Sequence, residues 1–195
     1  MPDLYAEALI RFDELYARAM ESGLRDANAM TVSTVGSAGR PASRGVLLKA
    51  HDARGFVFYT NFDSRKGDEL FANPRAALCF FWHELHEQVR IEGSCQPIPD
   101  EEGDAYFATR PRMSQIGAWA SEQSRPLASR ALFEQRRAEV EARFAGRDVP
   151  RPPRWSGFRV VPERIEFWRG IENRLHERTV YWLEGGKWRS GLLFP

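Results

Sequence analysis

Short strand-like segments separated by turns are the feature that most restricts the fold of this 195-residue chain. Each segment is rich in β-branched or aromatic residues and is bounded by turn-forming residues, as strands with short connections are. About eight such strands in a mostly antiparallel order predict a barrel or sandwich and disfavour a doubly wound sheet. The predicted strands cover 29–35, 45–49, 55–60, 76–82, 88–96, 157–161, 164–169 and 175–183, with a short last strand at Trp188.

Helices are expected at the start of the chain and between the strands. Apolar residues near the N-terminus recur at helical spacing, with Phe12 and Tyr16 one turn apart and Gly23 as a stop signal. Further helices are predicted over 64–72, 99–110 and 129–144. Residues 1–195 are therefore expected to form a single domain, mainly β with flanking helices, in which about 100–147 is a helical insertion.

Composition narrows the class of protein. Hydrophobic residues make up 43% of the chain and charged residues 28%, as in globular domains. No apolar run is long enough for a membrane span, and the first residues lack the layout of a signal peptide, so we expect a cytoplasmic protein with no membrane partner. A net charge of only +1 argues against a nucleic-acid partner. Cys79 and Cys95 lie in apolar stretches and are interpreted as buried small hydrophobes, and no metal site is expected.

Arg174, His176 and Arg178 alternate near the C-terminus. In an extended strand every second side chain points to the same face, so this spacing predicts two guanidiniums and an imidazole in one row. Such a row is costly to maintain unless an anionic or electron-rich group lies against it. The pattern therefore predicts a receptor surface for a phosphate or a polarised ring.

Two further cation sets allow both a functional and a plain interpretation. Arg65 and Lys66 follow Ser64, a good N-cap, in the first turn of a predicted helix, where cations oppose the helix dipole unless an anion docks there. Two solvated surface charges explain that pattern about equally well. Arg44 and Lys49 bracket an apolar strand and are expected on opposite faces, and taken alone they are more simply cations that reach solvent.

A hydroxyl and a guanidinium share one face of the predicted helix 99–110. Tyr106 and Arg110 are four residues apart, and Ser114 lies just beyond Pro111. Together these side chains suit a phosphate group, although a surface Tyr stacked on Arg is also compatible with the spacing. With no nucleophile triad, acid–base pair or metal cage in the sequence, the chain is expected to hold two phosphorylated or flat polar molecules and to leave the chemistry to a cofactor.

Several of these segments resemble motifs of the pyridoxamine 5′-phosphate oxidase family. The resemblance runs in order from about residue 8 to the end, and its specificity comes from several motifs at consistent spacing. The motifs are Arg44-Gly-Val-Leu-Leu-Lys49, Phe58-Tyr-Thr-Asn61, Ser64-Arg-Lys66, Tyr106-Phe-x-x-Arg-Pro-Arg-x-Ser114, Ser114-Gln-Ile-Gly-Ala-Trp119, Gln123-Ser124 and the segment Ile165 to Arg178.

The resemblance implies a fold and an activity. The fold would be an FMN-binding split β-barrel, antiparallel and Greek-key-like, that works as a homodimer with FMN at the subunit interface. The activity would be that of a flavoprotein oxidoreductase of vitamin B6 salvage. It would oxidise pyridoxamine 5′-phosphate or pyridoxine 5′-phosphate to pyridoxal 5′-phosphate, with O₂ as electron acceptor and H₂O₂ as product.

The resemblance also implies residue roles. Arg174 and His176 would be catalytic and would lie at the substrate ring. The substrate phosphate would contact Lys49, Tyr106, Arg110 and Ser114. FMN would contact the segment from Arg44 to Lys49, including Val46 and Leu47, and also Tyr59, Thr60, Arg65, Lys66, Gln88, Gln123, Ser124, Trp168 and Arg178.

Two alternatives remain open at this stage. One is a split-barrel FMN oxidase acting on another substrate, such as a phenazine precursor; the phosphate-binding set around Arg110 argues against it, because a substrate without phosphate does not need that set. The other is a non-catalytic protein that binds FMN or pyridoxal phosphate, from which an enzyme is distinguished by turnover.

Overall fold

A computed structural model describes residues 3–195 of the chain. Met1 and Pro2 lie outside the described residues, although the predicted domain and the segment expected to lack a signal peptide include them. No helix in this range combines the length and the apolar character needed to cross a membrane. The helices are α1 (Leu4–Glu21), α2 (Arg65–Ala72), α3 (Asp100–Thr109), α4 (Arg112–Ala120) and α5 (Arg130–Arg143). The strands are β1 (Ala29–Val35), β2 (Pro41–Leu47), β3 (Ala50–Asp52), β4 (Gly55–Asn61), β5 (Arg75–Trp82), β6 (Glu87–Pro97), β7 (Trp155–Arg169), β8 (Glu177–Glu184) and β9 (Lys187–Leu193).

The strands form one antiparallel sheet in which β7 has different partners in its first and last parts. Its order is β2-β1-β5-β6-β7-β4-β3, with β8 and β9 added beside β7. The first part of β7, up to Val160, pairs with β4, whereas the part from Arg164 onward pairs with β8. Pro162 lies between the two parts, and its missing N–H cannot donate to a neighbouring strand. The confirmed fold is thus a mainly β split barrel with flanking helices.

The sheet closes where β2 leads into β3. The backbone N–H of Lys49 donates to the carbonyl of Val57 in β4 at 2.9 Å, which brings the two ends of the strand order together. The enclosed face is filled by fully buried side chains such as Phe58, Phe80 and Ile91. Phe80 and Ile91 alternate with more exposed positions along β5 and β6, as expected for strands with one face in the core.

Helix α1 packs against the main core of the barrel. Asp3 caps its N-terminus by accepting hydrogen bonds from the N–H groups of Tyr5 and Ala6. Its buried stripe includes Phe12 and Leu15, which recur at helical spacing and join the main core. The predicted helical pattern of this region is confirmed, and the chain leaves the helix through Gly23 at φ +77°.

Helices α3 to α5 form a second, smaller apolar cluster beside the barrel. It contains Phe107 of α3, Ile116 of α4, Phe144 just after α5, and Val149. Trp155, the first residue of β7, belongs to the same cluster and so ties the inserted helices to the sheet. The cluster fixes the end of α3, on which part of the candidate site depends.

Three local predictions were wrong. Strands 157–161 and 164–169 are one strand, β7, whose partner changes without a break in the strand. The residues of α4 were predicted as neither helix nor strand, because their Gly, Ala and Ser side chains give a weak periodic signal after Pro111. The row of Arg174, His176 and Arg178 is not one strand face, because β8 begins only at Glu177.

The segment before β8 is a tight turn. Residues Glu172–Arg174 form one turn of 3₁₀ helix, in which Asn173 and Arg174 have φ values of +57° and +63°. A β pattern requires negative φ, so side-chain alternation cannot continue through this turn. His176 is held separately, because its Nδ1 accepts the backbone N–H of Ile171 at 3.2 Å.

Candidate functional site

A cavity of about 580 Å³ opens between β2, β4, the start of α2 and the end of α3. Its wall contains most of the residues that the family resemblance assigned to a cofactor or a substrate phosphate. Those residues are Arg44, Val46, Leu47, Lys49, Tyr59, Thr60, Arg65, Lys66, Tyr106, Arg110, Gln123 and Ser124.

Lys66 is a buried cation in this wall, with only 7% of its surface exposed. Its Nζ donates to Thr60 Oγ1 at 2.9 Å, to Gln123 Oε1 at 2.8 Å and to Ser64 Oγ at 3.2 Å. All three acceptors are neutral, and within residues 3–195 Lys66 forms no salt bridge. Burial, followed by repulsion from Arg44, lowers the pKa of Lys66 to about 8. A buried ammonium with no carboxylate suits an anionic ligand.

The start of α2 has the cap that the sequence predicted. Ser64 Oγ accepts the N–H of Gly67, so Arg65 and Lys66 lie in the first turn. The N–H groups of this turn and the two cations therefore belong to the same corner of the cavity, which is the arrangement that binds anions at helix N-termini.

Glu69, also in α2, joins two arginines of the cavity. Its Oε2 accepts from Arg44 Nη2 at 2.8 Å and from Thr34 Oγ1 at 2.5 Å, and its Oε1 accepts from Arg65 Nε at 2.8 Å. Burial acts to raise the pKa of Glu69, but the hydrogen bonds from Thr34, Arg44 and Arg65 outweigh it and hold the pKa below its ordinary value. Glu69 is therefore a charged carboxylate that fixes both guanidiniums.

Arg44 and Lys49 line the same cavity, which contradicts the prediction that they lie on opposite faces. The alternation rule fails because β2 ends at Leu47, so the chain is no longer a regular strand when it reaches Lys49. The backbone hydrogen bond from Lys49 to Val57 instead turns this residue toward β4.

The Tyr106, Arg110 and Ser114 set is brought together at the junction of α3 and α4. Arg110 is the C-cap of α3 and Ser114 lies in the first turn of α4. Ser114 lines an adjoining cavity of about 340 Å³, whose wall also contains Arg110 and Gln123. The Nη1 atom of Arg110 is buried and has no hydrogen-bond partner in the described part of the chain. Burial lowers the pKa of this guanidinium.

The remaining predicted residues form a second group at the far end of β7. Gln88, Trp168 and Arg178 occupy one row across β6, β7 and β8, and the His176 ring lies 4.7 Å from the Trp168 ring. Arg178 is held by the buried carboxylate of Glu166 at 2.9 Å. In the described chain, neither these residues nor Arg174 line the 580 Å³ cavity. Within one chain, the predicted site residues therefore lie in two separate groups.

Two residues of the cavity region were missed by sequence reasoning. Glu69 had a usable signal, because it lies four residues after Arg65 on the same helix face. Trp155 had none, because its neighbour Arg110 is distant in sequence and the contact depends on how the inserted helices pack. Within residues 3–195 no cluster of His, Cys, Asp or Glu has the arrangement of a metal site.

The fold and the cavity define the class of this protein: a split β-barrel with a cation-lined ligand cavity. A family model described as pyridoxamine 5′-phosphate oxidase matches residues 17–144. A second, described as pyridoxine 5′-phosphate oxidase C-terminal dimerisation region, matches residues 155–195. The chain belongs to the pyridoxamine 5′-phosphate oxidase family.

Individual proteins show the same relationship. The chain is 60% identical over 185 residues to a pyridoxine/pyridoxamine 5′-phosphate oxidase of Myxococcus xanthus (strain DK1622), covering 95% of this chain and 90% of that protein. It is 57% identical over the whole of both chains to the enzyme of that name from Xanthomonas axonopodis pv. citri (strain 306). Among solved structures, PhzG from Burkholderia lata 383, in complex with tetrahydrophenazine-1-carboxylic acid, has a TM-score of 0.91 and 33% identity, covering 96% of this chain and 92% of that one.

The substitution Glu69→Ala tests whether this carboxylate supports the cavity. It removes the acceptor of Arg44 and Arg65 and leaves a mostly buried guanidinium without its counter-charge, so the free energy of unfolding should fall by about 3 kcal/mol. Urea denaturation at neutral pH measures the change. The difference from wild type should shrink as the pH falls below the ordinary carboxyl range, because Glu69 contributes stability only while it is ionised.

Glu134→Ala is the matched control. Glu134 also forms ion pairs with two arginines, Arg130 and Arg137, but its side chain is much more exposed than that of Glu69. Its loss should leave the unfolding midpoint nearly unchanged. Equal effects of the two substitutions would contradict the role assigned to Glu69.

Proposed function

We propose that this protein oxidises pyridoxamine 5′-phosphate or pyridoxine 5′-phosphate to pyridoxal 5′-phosphate, with FMN as cofactor and O₂ as electron acceptor. The observation that carries the proposal is that two cations, the buried Lys66 and the half-buried Arg110, line one cavity and have no carboxylate partner among residues 3–195. Two separate cation sets suit a cofactor phosphate and a substrate phosphate. The names of the relatives from Myxococcus and Xanthomonas support the same substrates.

The residues present fit FMN. Lys66 is buried among neutral acceptors in the first turn of α2, and Arg44 and Arg65 line the same part of the cavity. This set of donors suits the phosphate group of a phosphomonoester. Thr60, Gln123 and Ser124 add hydroxyl and amide groups to the wall. When bound, FMN would supply the redox chemistry, taking two electrons from the substrate and passing them to O₂.

The second set would bind the substrate. Arg110, Lys49, Tyr106 and Ser114 would hold the substrate phosphate, with each charge-assisted bond contributing about 1.5–3 kcal/mol. Anchoring the phosphate fixes the position of the attached pyridine ring in the cavity, which lowers the entropic part of the barrier. Arg174 and His176 would contact that ring and orient the carbon that is oxidised.

The two reactions balance without a further reactant from the protein. Pyridoxine 5′-phosphate and O₂ give pyridoxal 5′-phosphate and H₂O₂. Pyridoxamine 5′-phosphate, O₂ and water give pyridoxal 5′-phosphate, ammonia and H₂O₂. This chain would therefore contribute binding, orientation and electrostatics, in agreement with the absence of a nucleophile triad from its motifs.

A homodimer would bring the two groups of residues together. The C-terminal family model is described as a dimerisation region, and it matches residues 155–195, which contain Trp168, His176 and Arg178. We infer that these residues, together with Gln88 and Arg174 from one subunit, complete the cavity of the other. Residues 1–195 would act as one domain, and the expected cytoplasmic location remains a prediction.

The similarity to PhzG supports one alternative, an oxidase of a phenazine precursor. That protein is in complex with a carboxylic acid that contains no phosphate. The unpartnered Nη1 atom of Arg110 and the nearby Ser114 favour a phosphorylated substrate for this chain. A non-catalytic FMN or pyridoxal phosphate carrier would bind the same ligands but would release no product.

Steady-state kinetics with both phosphorylated substrates tests the proposal. Purified yellow protein should produce pyridoxal 5′-phosphate and peroxide in equal amounts. Arg110→Ala should raise KM by about 10- to 100-fold with a small change in kcat, since it removes phosphate binding. Arg174→Ala should lower kcat as well, because Arg174 is proposed to contact the reacting ring. Turnover of tetrahydrophenazine-1-carboxylic acid alone would contradict the proposal.

Mixing two impaired variants, assayed at a substrate concentration below the wild-type KM, tests whether the site is shared between subunits. Arg110→Ala and Arg174→Ala affect different groups. If subunits pair at random, half of the dimers are hybrids, and each hybrid has one intact site and one site that lacks both arginines. Activity should recover to about a quarter of the wild-type value after subunits exchange. The control mixes two separately labelled preparations of Arg110→Ala, whose subunits also exchange but form no intact site. If no activity returns although hybrids form, both groups act within one chain.

The pH dependence of FMN affinity tests the role of Lys66. The pKa of Lys66 in the free protein is about 8, so the ammonium that attracts the phosphate is present below that pH and is lost above it. The FMN dissociation constant, measured by flavin fluorescence, should therefore rise as pH increases beyond 8. Lys66→Met should bind weakly and with little change across this range, whereas Asp63→Asn, an exposed change nearby, should keep the wild-type profile. A flat profile for wild type would contradict the assignment.

A further inference from the structure

Arg110 is held in the cavity by aromatic rings. Its guanidinium carbon lies 4.5 Å from the centroid of the Trp155 ring and 5.6 Å from that of Phe107. Within residues 3–195 it forms no ion pair, and its buried Nη1 has no hydrogen-bond partner. Arg44 and Arg65, by contrast, share the carboxylate of Glu69. Something other than a counter-charge must therefore determine where the Arg110 guanidinium lies.

Trp155 is itself held rigidly. Only 7% of its surface is exposed, and its backbone pairs with Asn61 of β4 at the first position of β7. Its ring is nearly parallel to those of Tyr59 and Tyr106, at interplanar angles of 9° and 8° and centroid distances of 5.4 and 6.2 Å. Packing on this stack prevents the indole from following the guanidinium if Arg110 moves.

We propose that Trp155 is a positioning residue for the substrate phosphate, which acts through Arg110. The indole face attracts the guanidinium and fixes its direction, but it carries no charge that would compete with a phosphate. A carboxylate in the same place would hold Arg110 equally well and would neutralise it. The inference rests on the proposed function, because it assigns Arg110 to the substrate phosphate.

This role differs from that of an ordinary buried tryptophan. Trp155 also belongs to the smaller apolar cluster, so its substitution is expected to lower the free energy of unfolding. A purely structural residue would change stability without a selective effect on phosphate binding. A positioning residue changes KM for the phosphorylated substrate and leaves FMN affinity and kcat nearly intact.

Kinetics of Trp155→Leu and Trp155→Phe provide the first test. Leucine fills space but has no π face, so KM for pyridoxamine 5′-phosphate should rise about tenfold, and phenylalanine, a weaker cation–π partner, should raise it about threefold. The Phe variant keeps an aromatic ring in the stack and serves if the Leu variant does not fold. KM values equal to wild type in a folded variant would overturn the inference.

A double-mutant cycle with Arg110→Ala tests whether Trp155 acts through Arg110. In the Arg110→Ala background, Trp155→Leu should cause no further rise in KM, because the group that it positions is gone. Independent, additive effects would overturn the inference and would leave Trp155 as a packing residue.

Trp119→Leu is the matched control. Trp119 is also in contact with an arginine, with the Arg143 guanidinium carbon 4.9 Å from its ring centroid, but it lines neither of the two cavities. Its loss should lower the melting temperature without changing KM. A rise in KM as large as that of Trp155→Leu would overturn the inference by showing that general loosening of the helices is sufficient.

A separate readout distinguishes failure of this inference from failure of the proposed function. If wild type turns over neither phosphorylated substrate, the proposed function fails, and titration of the FMN-loaded protein with inorganic phosphate replaces kinetics. Binding that is weakened to a similar extent by Arg110→Ala and Trp155→Leu, but not by Trp119→Leu, would support the positioning role. Phosphate binding that Trp155→Leu leaves unchanged would overturn it.

Discussion

The pairing of β7 is the constraint on which the rest of the structure depends. This strand contacts β6 along its length, β4 through its first part and β8 through its last part. Trp155 at its start lines the cavity, whereas Trp168 near its end belongs to the second group of predicted site residues. A strand rises about 3.3 Å per residue, so these two positions are separated by roughly 40 Å along β7. One chain therefore cannot close both groups around a single ligand, and a symmetric partner is the simplest way to join them.

The cavity uses two ways of holding a cation. Glu69 binds Arg44 and Arg65 by direct hydrogen bonds, which fixes them firmly but cancels part of their charge. Arg110 lies against Trp155 and keeps its full charge. The first arrangement is stable without a ligand, and the second leaves a donor unsatisfied until an anion arrives. The difference suits a resident cofactor at one end and an exchanging substrate at the other.

Sequence reasoning succeeded where a single local rule decides the structure. Runs of β-branched and aromatic residues bounded by turns located most strands, and Ser64 was recognised as the cap that directs Arg65 and Lys66 into the first turn of α2. It failed where a rule was extended past the end of an element, as for Lys49 after β2 and for Arg174 and His176 before β8. It had no access to Trp155 and Arg110, whose contact depends on packing between distant segments. The resemblance supplied the residue names, but not the division of those residues into two groups.

The charge of the proposed cofactor corner links ligand binding to the stability of the fold. Arg44, Arg65 and Lys66 together with the carboxylate of Glu69 leave a net charge of +2, which matches a phosphomonoester of about −1.5 to −2 at neutral pH. Without that anion the cations repel one another, and this repulsion together with burial is why Lys66 gives up its proton more easily than an ordinary lysine. An anion bound there removes the repulsion only in the folded state, so it stabilises the fold in proportion to its affinity. The charges that are proposed to select the ligand thus also link its binding to the stability of the fold.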